Sequence, residues 1–273
     1  MSALTMECTE AVRPEPLLRS GGRRTMAHAL VLTHRHLLHV VRVPGLALWS
    51  TVQPILFLLL FNFMFGGVIS RDTGDYINFV VPGIVVQFLA LIVFETALGV
   101  HADISTGIVD RFRSLPIARS AVLSGRIFSD AIRSAVNVVS IVTVGALLGF
   151  RFSTGVMPAV GAFLLAIGFG VALSWVGAWI GLRVRSLEMV QSVGTIWVVP
   201  LTFLSSLFVP TQTVPGWLQA VVRANPLTNV ADALRALTLG GPTTGPVLAS
   251  LAWTIGILVT FSALAVRQYR RIE

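Results

Sequence analysis

The chain has 273 residues, of which 55% are hydrophobic and only 12% are charged, and its mean hydropathy is +0.83. Soluble domains carry about 25% charged residues, so this composition excludes an ordinary soluble protein and indicates an integral membrane protein. All 20 basic residues are arginine. Without lysine, the chain can form neither a P-loop nucleotide site nor a lysine Schiff base.

The N-terminal part divides into two segments. Residues 1–24 are polar and lack the apolar core of a signal peptide, so we predict a disordered tail, in which the single Cys8 can form no internal disulfide. Residues 25–44 alternate apolar side chains with histidine and arginine, which predicts a basic amphipathic helix on the membrane surface. Its histidines are His28, His34, His36 and His39. No cysteine or carboxylate completes a metal-ligand set with them, so we interpret them as part of a polar face.

Residues 45–273 contain six apolar runs, each roughly 17–26 residues long and therefore able to span a membrane. The runs are Gly45–Phe65, Phe79–Val100, Ser134–Phe150, Met157–Leu182, Met189–Val209 and Val247–Val266. We therefore predict an all-α integral membrane protein with six transmembrane helices. The small-residue pairs Gly145 with Gly149 and Gly177 with Gly181 predict faces for close helix packing.

The placement of the arginines indicates the orientation. If the N-terminus is cytoplasmic, 16 of the 20 arginines fall on the cytoplasmic side; the other four are Arg71, Arg151, Arg223 and Arg235. This division obeys the positive-inside rule and predicts that both termini are cytoplasmic. Because topology accounts for the net charge of +8, we do not expect nucleic acid as a partner.

The longest cytoplasmic connection, His101–Arg133, has the pattern of two helices. The first begins at Asp103 or Ser105, carries an apolar stripe and ends at Pro116, and the second continues into the third span. The stripe consists of Ile104, Ile108 and Phe112, and the charged residues Asp110, Arg111 and Arg113 lie on other faces. We interpret the first helix as a short rod parallel to the membrane that receives force from a cytosolic partner. The alternative is an ordinary basic loop that anchors the topology.

The outer connection, Thr211–Pro246, also predicts two short helices. The residues that define them are Pro215 and Trp217 in the first, Asn225 and Pro226 at the break, and Gly240 and Gly241 at the end. We expect both helices to be amphipathic and to fold back against the outer face of the membrane. Asp232 and Arg235 have the i,i+3 spacing of an ion pair.

Few polar side chains lie within the predicted spans. Glu95 is the only carboxylate among them, and an intramembrane charge is costly. Two alternatives remain open. Either Glu95 snorkels or pairs with a nearby arginine such as Arg111 or Arg113, or it lines a substrate or proton route. The other candidates for a pathway are Asn62, Gln87 and Pro200.

Two blocks of the sequence resemble a known family. GIVDRFRSLPIARSAVLSGRIFSDAIR, at 107–133, resembles the signature region of the ABC-2 type permeases and is most similar to their daunorubicin/doxorubicin-resistance branch. LFVPTQTVPGWLQAVVRANPLTNVADALRALTLGG, at 207–241, resembles the Pro-x-Trp-Leu stretch, Asn-Pro-Leu turn and Ala-Leu-Arg helix that follow the fifth span in that family. The resemblance covers about residues 25 to 270.

The resemblance implies an ABC-2, type V exporter-like architecture. The helix at 25–44 would be the connecting helix, and the pair at Pro215–Leu239 would be a re-entrant outer cap containing Pro215, Trp217, Asn225, Pro226 and Arg235. A coupling helix would seat in a groove of an ATPase. Its residues would be Asp103, Ile104, Gly107, Ile108, Asp110, Arg111, Phe112, Arg113, Leu115 and Pro116. The resemblance also implies that spans 2 and 5 line the pathway and that spans 1 and 5 lie near a dimer seam.

We therefore expect the permease subunit of an ATP-driven exporter in a bacterial cytoplasmic membrane, with no catalytic residue and no metal of its own. Two copies of a separate ATPase would hold ATP and Mg, and a second permease, identical or a sister, would complete the dimer. The expected cargo is a hydrophobic or amphipathic drug, lipid or lipid-like product, because apolar residues dominate the predicted pathway.

Three alternatives belong to other classes. The first is an ion- or proton-coupled carrier using Glu95, although the sequence shows no convincing inverted repeat. The second is a membrane-embedded lipid-modifying enzyme, although no His, Asp, Glu or Ser cluster lies near one membrane face. The third is a scaffold or immunity protein that only binds a partner.

Overall fold

The computed structural model describes residues 52–65, 76–105, 119–184 and 186–271. Within these ranges the chain is helical almost throughout and contains no β-strand, which confirms the all-α prediction. The helices are α1 Val52–Phe65, α2 Tyr76–Ser105, α3 Arg119–Leu147, α4 Val156–Arg183, α5 Leu187–Phe203, α6 Gly216–Ala224, α7 Pro226–Leu239 and α8 Thr244–Arg271.

Four of these helices, α2, α3, α4 and α8, are long and apolar enough to cross a membrane, while α1 and α5 are shorter apolar helices. With its 30 residues α2 is about 45 Å long, so it exceeds the hydrocarbon core of a bilayer, which is about 30 Å thick. The bounds differ from the predicted runs mainly at one end of the bundle. There α2 continues to Ser105 and α3 already begins at Arg119, so both helices project beyond the apolar sequence.

The predicted fifth span is too long. It was expected to reach Val209, but α5 ends at Phe203. The Leu204 N–H still bonds the Pro200 carbonyl at 2.8 Å, whereas the Leu201 and Leu204 carbonyls accept hydrogen bonds from the side-chain amide of Asn225. This side chain takes the place of the next helical N–H donors, so the apolar run leaves the helix at this point.

Helix α2 occupies the centre of the bundle. It packs against α3, α4, α5 and α7, and its apolar stretch is the most buried of the four long helices. The closest approach is to α4, where a Cβ added at Gly177 or Gly181 would overlap the carbonyl of Val93 or Ala97. The predicted packing role of this glycine pair is therefore confirmed.

The other predicted glycine pair is confirmed only in part. Gly145 packs against Val81 of α2, where an added Cβ would lie 2.8 Å from a Val81 methyl group. Gly149, however, lies beyond the end of α3 with φ +113°, and a Cβ at that position would meet nothing within 4 Å. It allows the chain to turn towards α4 and does not support packing.

Buried apolar residues form a large core around α2 and a second, smaller core at the end of the bundle predicted to be cytoplasmic. The smaller core joins α2, α3, α4 and α8 through Val100, Leu123, Ile127, Ala178, Leu182 and Ala265. Ile104 packs against this core. The ends of four helices on the side predicted to be cytoplasmic are thereby held together by apolar contact.

Candidate functional site

A network of charged residues joins the last turns of α2 to the first turns of α3. We call it the α2–α3 ion cluster, and its members are Glu95, Asp103, Arg126, Asp130 and Arg133. It lies beside residues 106–118, which connect the two helices, at the end of the bundle predicted to be cytoplasmic. It therefore holds the two helix ends that flank the predicted coupling segment.

The first link of the ion cluster is a single ion pair. The Arg126 Nη1 donates to the Asp103 Oδ2 at 2.8 Å, and both side chains are largely shielded, at 16% and 23% exposed. The Arg126 guanidinium lies where a Cβ at position 99 would be, so only Gly99 leaves it room. Helix α2 thus has a notch that fits the arginine of α3.

The second link is a buried network. Asp130 is 3% exposed and accepts two hydrogen bonds, from the Thr96 Oγ1 at 2.6 Å and from the Arg133 Nη2 at 2.9 Å. The same Arg133 nitrogen lies 2.9 Å from the Glu95 Oε2. One arginine of α3 therefore binds a carboxylate of each helix, and Thr96 ties the buried carboxylate back to α2.

Glu95 is paired with an arginine, as one of the two alternatives predicted, and in the described ranges this partner is Arg133. Arg111 and Arg113, which were named as examples, lie outside those ranges. Arg126 and Arg133 were counted only as topology signals. The missed signal is their spacing: seven residues separate them on α3, and eight separate Glu95 from Asp103 on α2. Both spacings correspond to about two helical turns. Because the two helices are antiparallel, Arg126 therefore lies opposite Asp103, and Arg133 lies opposite Glu95.

The predicted coupling residues fall into two groups. Asp103 and Ile104 belong to α2, and both contact this chain: Asp103 binds Arg126 and Ile104 packs on the smaller core. The expected helix start at Asp103 is wrong, because α2 continues through this residue to Ser105. The remaining eight lie outside the described residues: Gly107, Ile108, Asp110, Arg111, Phe112, Arg113, Leu115 and Pro116.

At the opposite end of the bundle, Arg235 of α7 is the centre of a second polar cluster. Its side chain is 11% exposed and donates hydrogen bonds to the carbonyls of Phe79, Ser206 and Leu207 and to the side chains of Asp232 and Ser206. Its guanidinium also stacks 3.7 Å from the centre of the Phe79 ring. Burial lowers the pKa of Arg235, and the nearby Asp232 carboxylate opposes that shift.

The predicted Asp232–Arg235 pair is confirmed at 2.7 Å, and so are the two predicted short helices. Asn225 caps α7 through its bond from the Leu227 N–H, Pro226 is the first residue of that helix, and Pro215 precedes α6. The exposed face expected of a surface helix is wrong for α7, while the position of both helices on the outer face of the membrane stays a prediction. Most of α7 is buried against α2, α4 and α8, because its small side chains face several neighbours.

Helix α6 keeps its amphipathic, peripheral character. Only Val222 is buried, and Trp217 is 78% exposed. The four pathway candidates are dispersed over three helices. Asn62 lies half-buried on α1, Gln87 and Glu95 lie on α2, and Pro200 is exposed on α5. The Gln87 Oε1 is a buried acceptor without a hydrogen-bond partner in the described part of the chain.

An apolar groove of about 170 Å³ lies between α2, α3 and α4 and contains none of these candidates. Its lining includes Val81 and Pro82 of α2, Val139 and Val142 of α3, and Ala159 and Ala162 of α4. Helix α3 thus meets α2 through ion pairs at one end and through apolar side chains along this groove towards the other, where Gly145 packs against Val81.

The sequence matches the ABC-2 type transporter family over residues 28–239. The chain belongs to that family. It is 35% identical to the daunorubicin resistance ABC transporter permease protein DrrB1 of Streptomyces coeruleorubidus over 272 residues, which cover 97% of this chain and 96% of that protein. It is 29% identical to the probable doxorubicin resistance ABC transporter permease protein DrrC of Mycobacterium tuberculosis over 94% of this chain and 93% of that protein.

The predicted family and its drug-resistance branch are therefore confirmed. The chain is an ABC-2 type permease, and an ABC transporter permease implies a membrane location and an ATPase partner. A more distant relative is the inner membrane transport permease YadH of Escherichia coli, 21% identical over 78% of this chain and 82% of that protein.

Proposed function

We propose that this permease exports a hydrophobic or amphipathic compound across the cytoplasmic membrane, driven by a separate ATPase subunit that binds ATP and Mg. The observation that carries this proposal is the near full-length similarity to a permease named for daunorubicin resistance. A permease serves resistance by moving the compound outwards. The compounds for which the relatives are named, daunorubicin and doxorubicin, support this cargo class.

The proposed contact with the ATPase is the segment 106–118, which connects α2 to α3. Both helices project beyond their apolar parts towards this segment, and the α2–α3 ion cluster holds their ends together. Closure of two ATPase subunits on ATP would displace the segment and so move both helices. Phe112 supplies the apolar anchor of the contact, and Arg111 fixes its register.

A second permease, identical or a sister, would complete the transporter. The apolar side chains on α5 support this part of the proposal, because Ile196, Trp197 and Phe203 are each about two-thirds exposed or more. Large exposed apolar patches mark membrane or protein contacts. With both termini cytoplasmic, α5 of each copy would lie near the seam between them.

The test is to co-express the chain with its ATPase and measure transport per ATP hydrolysed in proteoliposomes, with daunorubicin as the probe. We expect Phe112→Ala and Arg111→Glu each to lower that ratio about tenfold or more. Loss of a buried ring removes about 1.5–3 kcal/mol of docking energy, which corresponds to at least a tenfold loss of affinity. Membrane insertion should be unchanged.

The matched control is Arg223→Glu, a reversal of charge on the exposed outer helix α6, which should leave the ratio as in the wild type. Transport at the normal rate by either segment variant would show that 106–118 is not the coupling contact. Transport that survives ATP depletion but fails without a proton gradient would overturn the ATP-driven function itself.

A further inference from the structure

The contact between α2 and α3 differs along its length. Near residues 106–118 the helices are joined by the two links of the ion cluster, with Asp130 almost fully buried and Arg126 set into the Gly99 notch. Removing one partner of a buried charge pair leaves the other uncompensated, so such links resist separation. This end of the helix pair has one arrangement that satisfies its charges.

Towards the other end the two helices face each other across the apolar groove. The groove contains Pro82, which interrupts the hydrogen bonding of α2, and a series of alanines on α4 that leave space opposite the valines of α3. Its two threonines, Thr143 and Thr238, bond backbone carbonyls of their own helices at 2.7 Å. In the described ranges no ion pair joins α2 and α3 along the groove. At its far end Gly145 packs against Val81, and the Arg151 N–H just beyond α3 donates to the Asn78 Oδ1 of α2 at 3.1 Å.

Helix α2 is also held to α4 by the contacts of Gly177 and Gly181 with the backbone. Helix α3 has no such glycine contact with the α2 backbone along the groove, where the two helices meet through side chains. Movement of α3 relative to α2 and α4 is least costly at the groove and most costly at the ion cluster.

We infer that the ion cluster makes the ends of α2 and α3 a single rigid body, and that Arg126 and Arg133 are positioning residues for ATP-driven transport. Displacement of 106–118 moves both helix ends together, and the apolar groove absorbs the relative movement farther along. This inference rests on the proposed function, because it requires an ATPase that moves the segment.

The test uses pairs of spin labels in the complete complex with its ATPase, in a Cys8→Ser background that removes the only native cysteine. One pair, Ala102→Cys with Phe128→Cys, reports the distance between the joined ends, because both residues are exposed there. The other pair, Val139→Cys with Val160→Cys, spans the groove from α3 to α4 and is also exposed. Distances are measured without nucleotide and with ATP and vanadate.

We expect the first distance to stay constant between the two states while the second changes. In Arg126→Gln and Arg133→Gln the first distance should broaden, and transport of daunorubicin per ATP should fall about fivefold with the ATPase rate retained. The matched control is Arg183→Gln at the same end of the bundle, where the arginine contacts the Trp179 ring and belongs to neither link. It should leave both readouts unchanged.

The results that would contradict the rigid-body inference differ from those that would contradict the proposed function. A first distance that changes as much as the second, or full coupling in both glutamine variants, overturns the rigid-body inference while leaving the proposed function intact. Failure of any ATPase to assemble with the chain overturns the proposed function, and the positioning role falls with it.

Discussion

Arg235 donates hydrogen bonds to buried backbone carbonyls in the segment that follows α5. Once α5 ends, the carbonyls of Ser206 and Leu207 have no helical donors, and both residues are buried. Arginine supplies five N–H donors in a fixed plane, and in this structure it uses them on three carbonyls and two side chains. Lysine has three donors on one atom and cannot reproduce this arrangement.

We predict that Arg235→Met lowers the free energy of unfolding by about 2–4 kcal/mol, chiefly because buried carbonyls lose their donors. Asp232 is 42% exposed, so solvent screens its pairing with Arg235 and that pair contributes little. The measurement is the thermal unfolding midpoint in detergent. The control Arg223→Met, on exposed α6, should change stability by no more than about 0.5 kcal/mol. Equal midpoints for the two variants would contradict this role for Arg235.

Asn225 has two roles in joining helices. Its side chain caps the N-terminus of α7, and it also binds the backbone carbonyls at the C-terminus of α5. Its Oδ1 accepts from the Leu227 N–H at 2.9 Å, while its Nδ2 donates to the carbonyls of Leu201 and Leu204 at 2.6 and 2.7 Å. The sequence pattern Asn-Pro predicted a helix break here. The binding to the end of α5 was not predictable, because its acceptors lie 21 and 24 positions earlier in the chain.

An aspartate at position 225 tests the two roles separately, because it can cap α7 but cannot donate hydrogen bonds to α5. We predict that Asn225→Asp destabilises the protein at least as much as Asn225→Ala, by about 1–3 kcal/mol, although aspartate is as good a helix cap as asparagine. The carboxylate keeps the bond from Leu227 but faces two carbonyls that need a donor. Thermal unfolding of the two variants in detergent checks the prediction, and wild-type stability of Asn225→Asp would show that only the cap matters.

At the scale of the whole molecule, apolar periodicity and helix-stop residues predicted where the helices lie, and less well what they touch. The runs predicted for α2, α3, α4 and α8 all coincide with long helices. The burial of α7 and the pairing of Glu95 with Arg133 depend on contacts between distant segments, which a local pattern does not encode. The glycine pair on α4 is the exception, because small residues at i and i+4 on one helix face let another helix approach closely.

The close contact between α2 and α4 at Gly177 leads to a prediction about the stability of the bundle. Gly177→Ala should separate α2 from α4 and lower stability by about 1–3 kcal/mol, because the new methyl group overlaps the Val93 carbonyl. Gly168→Ala is the matched control on the same helix: nothing lies within 4 Å of its Cβ, so it should be neutral or slightly stabilising. Thermal unfolding midpoints of the two variants test this, and a Gly177→Ala variant as stable as Gly168→Ala would contradict the packing role of Gly177.

The bond from Arg235 to the Phe79 carbonyl spans 156 positions of the sequence. At about 5–20 residues per second, a ribosome needs roughly 10–30 s after making Phe79 before it makes that arginine. For most of this interval α2 is complete, while α7, which packs against it, is still to come. The nascent chain must therefore keep α2 in the lipid or beside the insertion machinery until the neighbouring helices have been made. Truncation before α7 should leave α2 accessible to proteases and to membrane quality control.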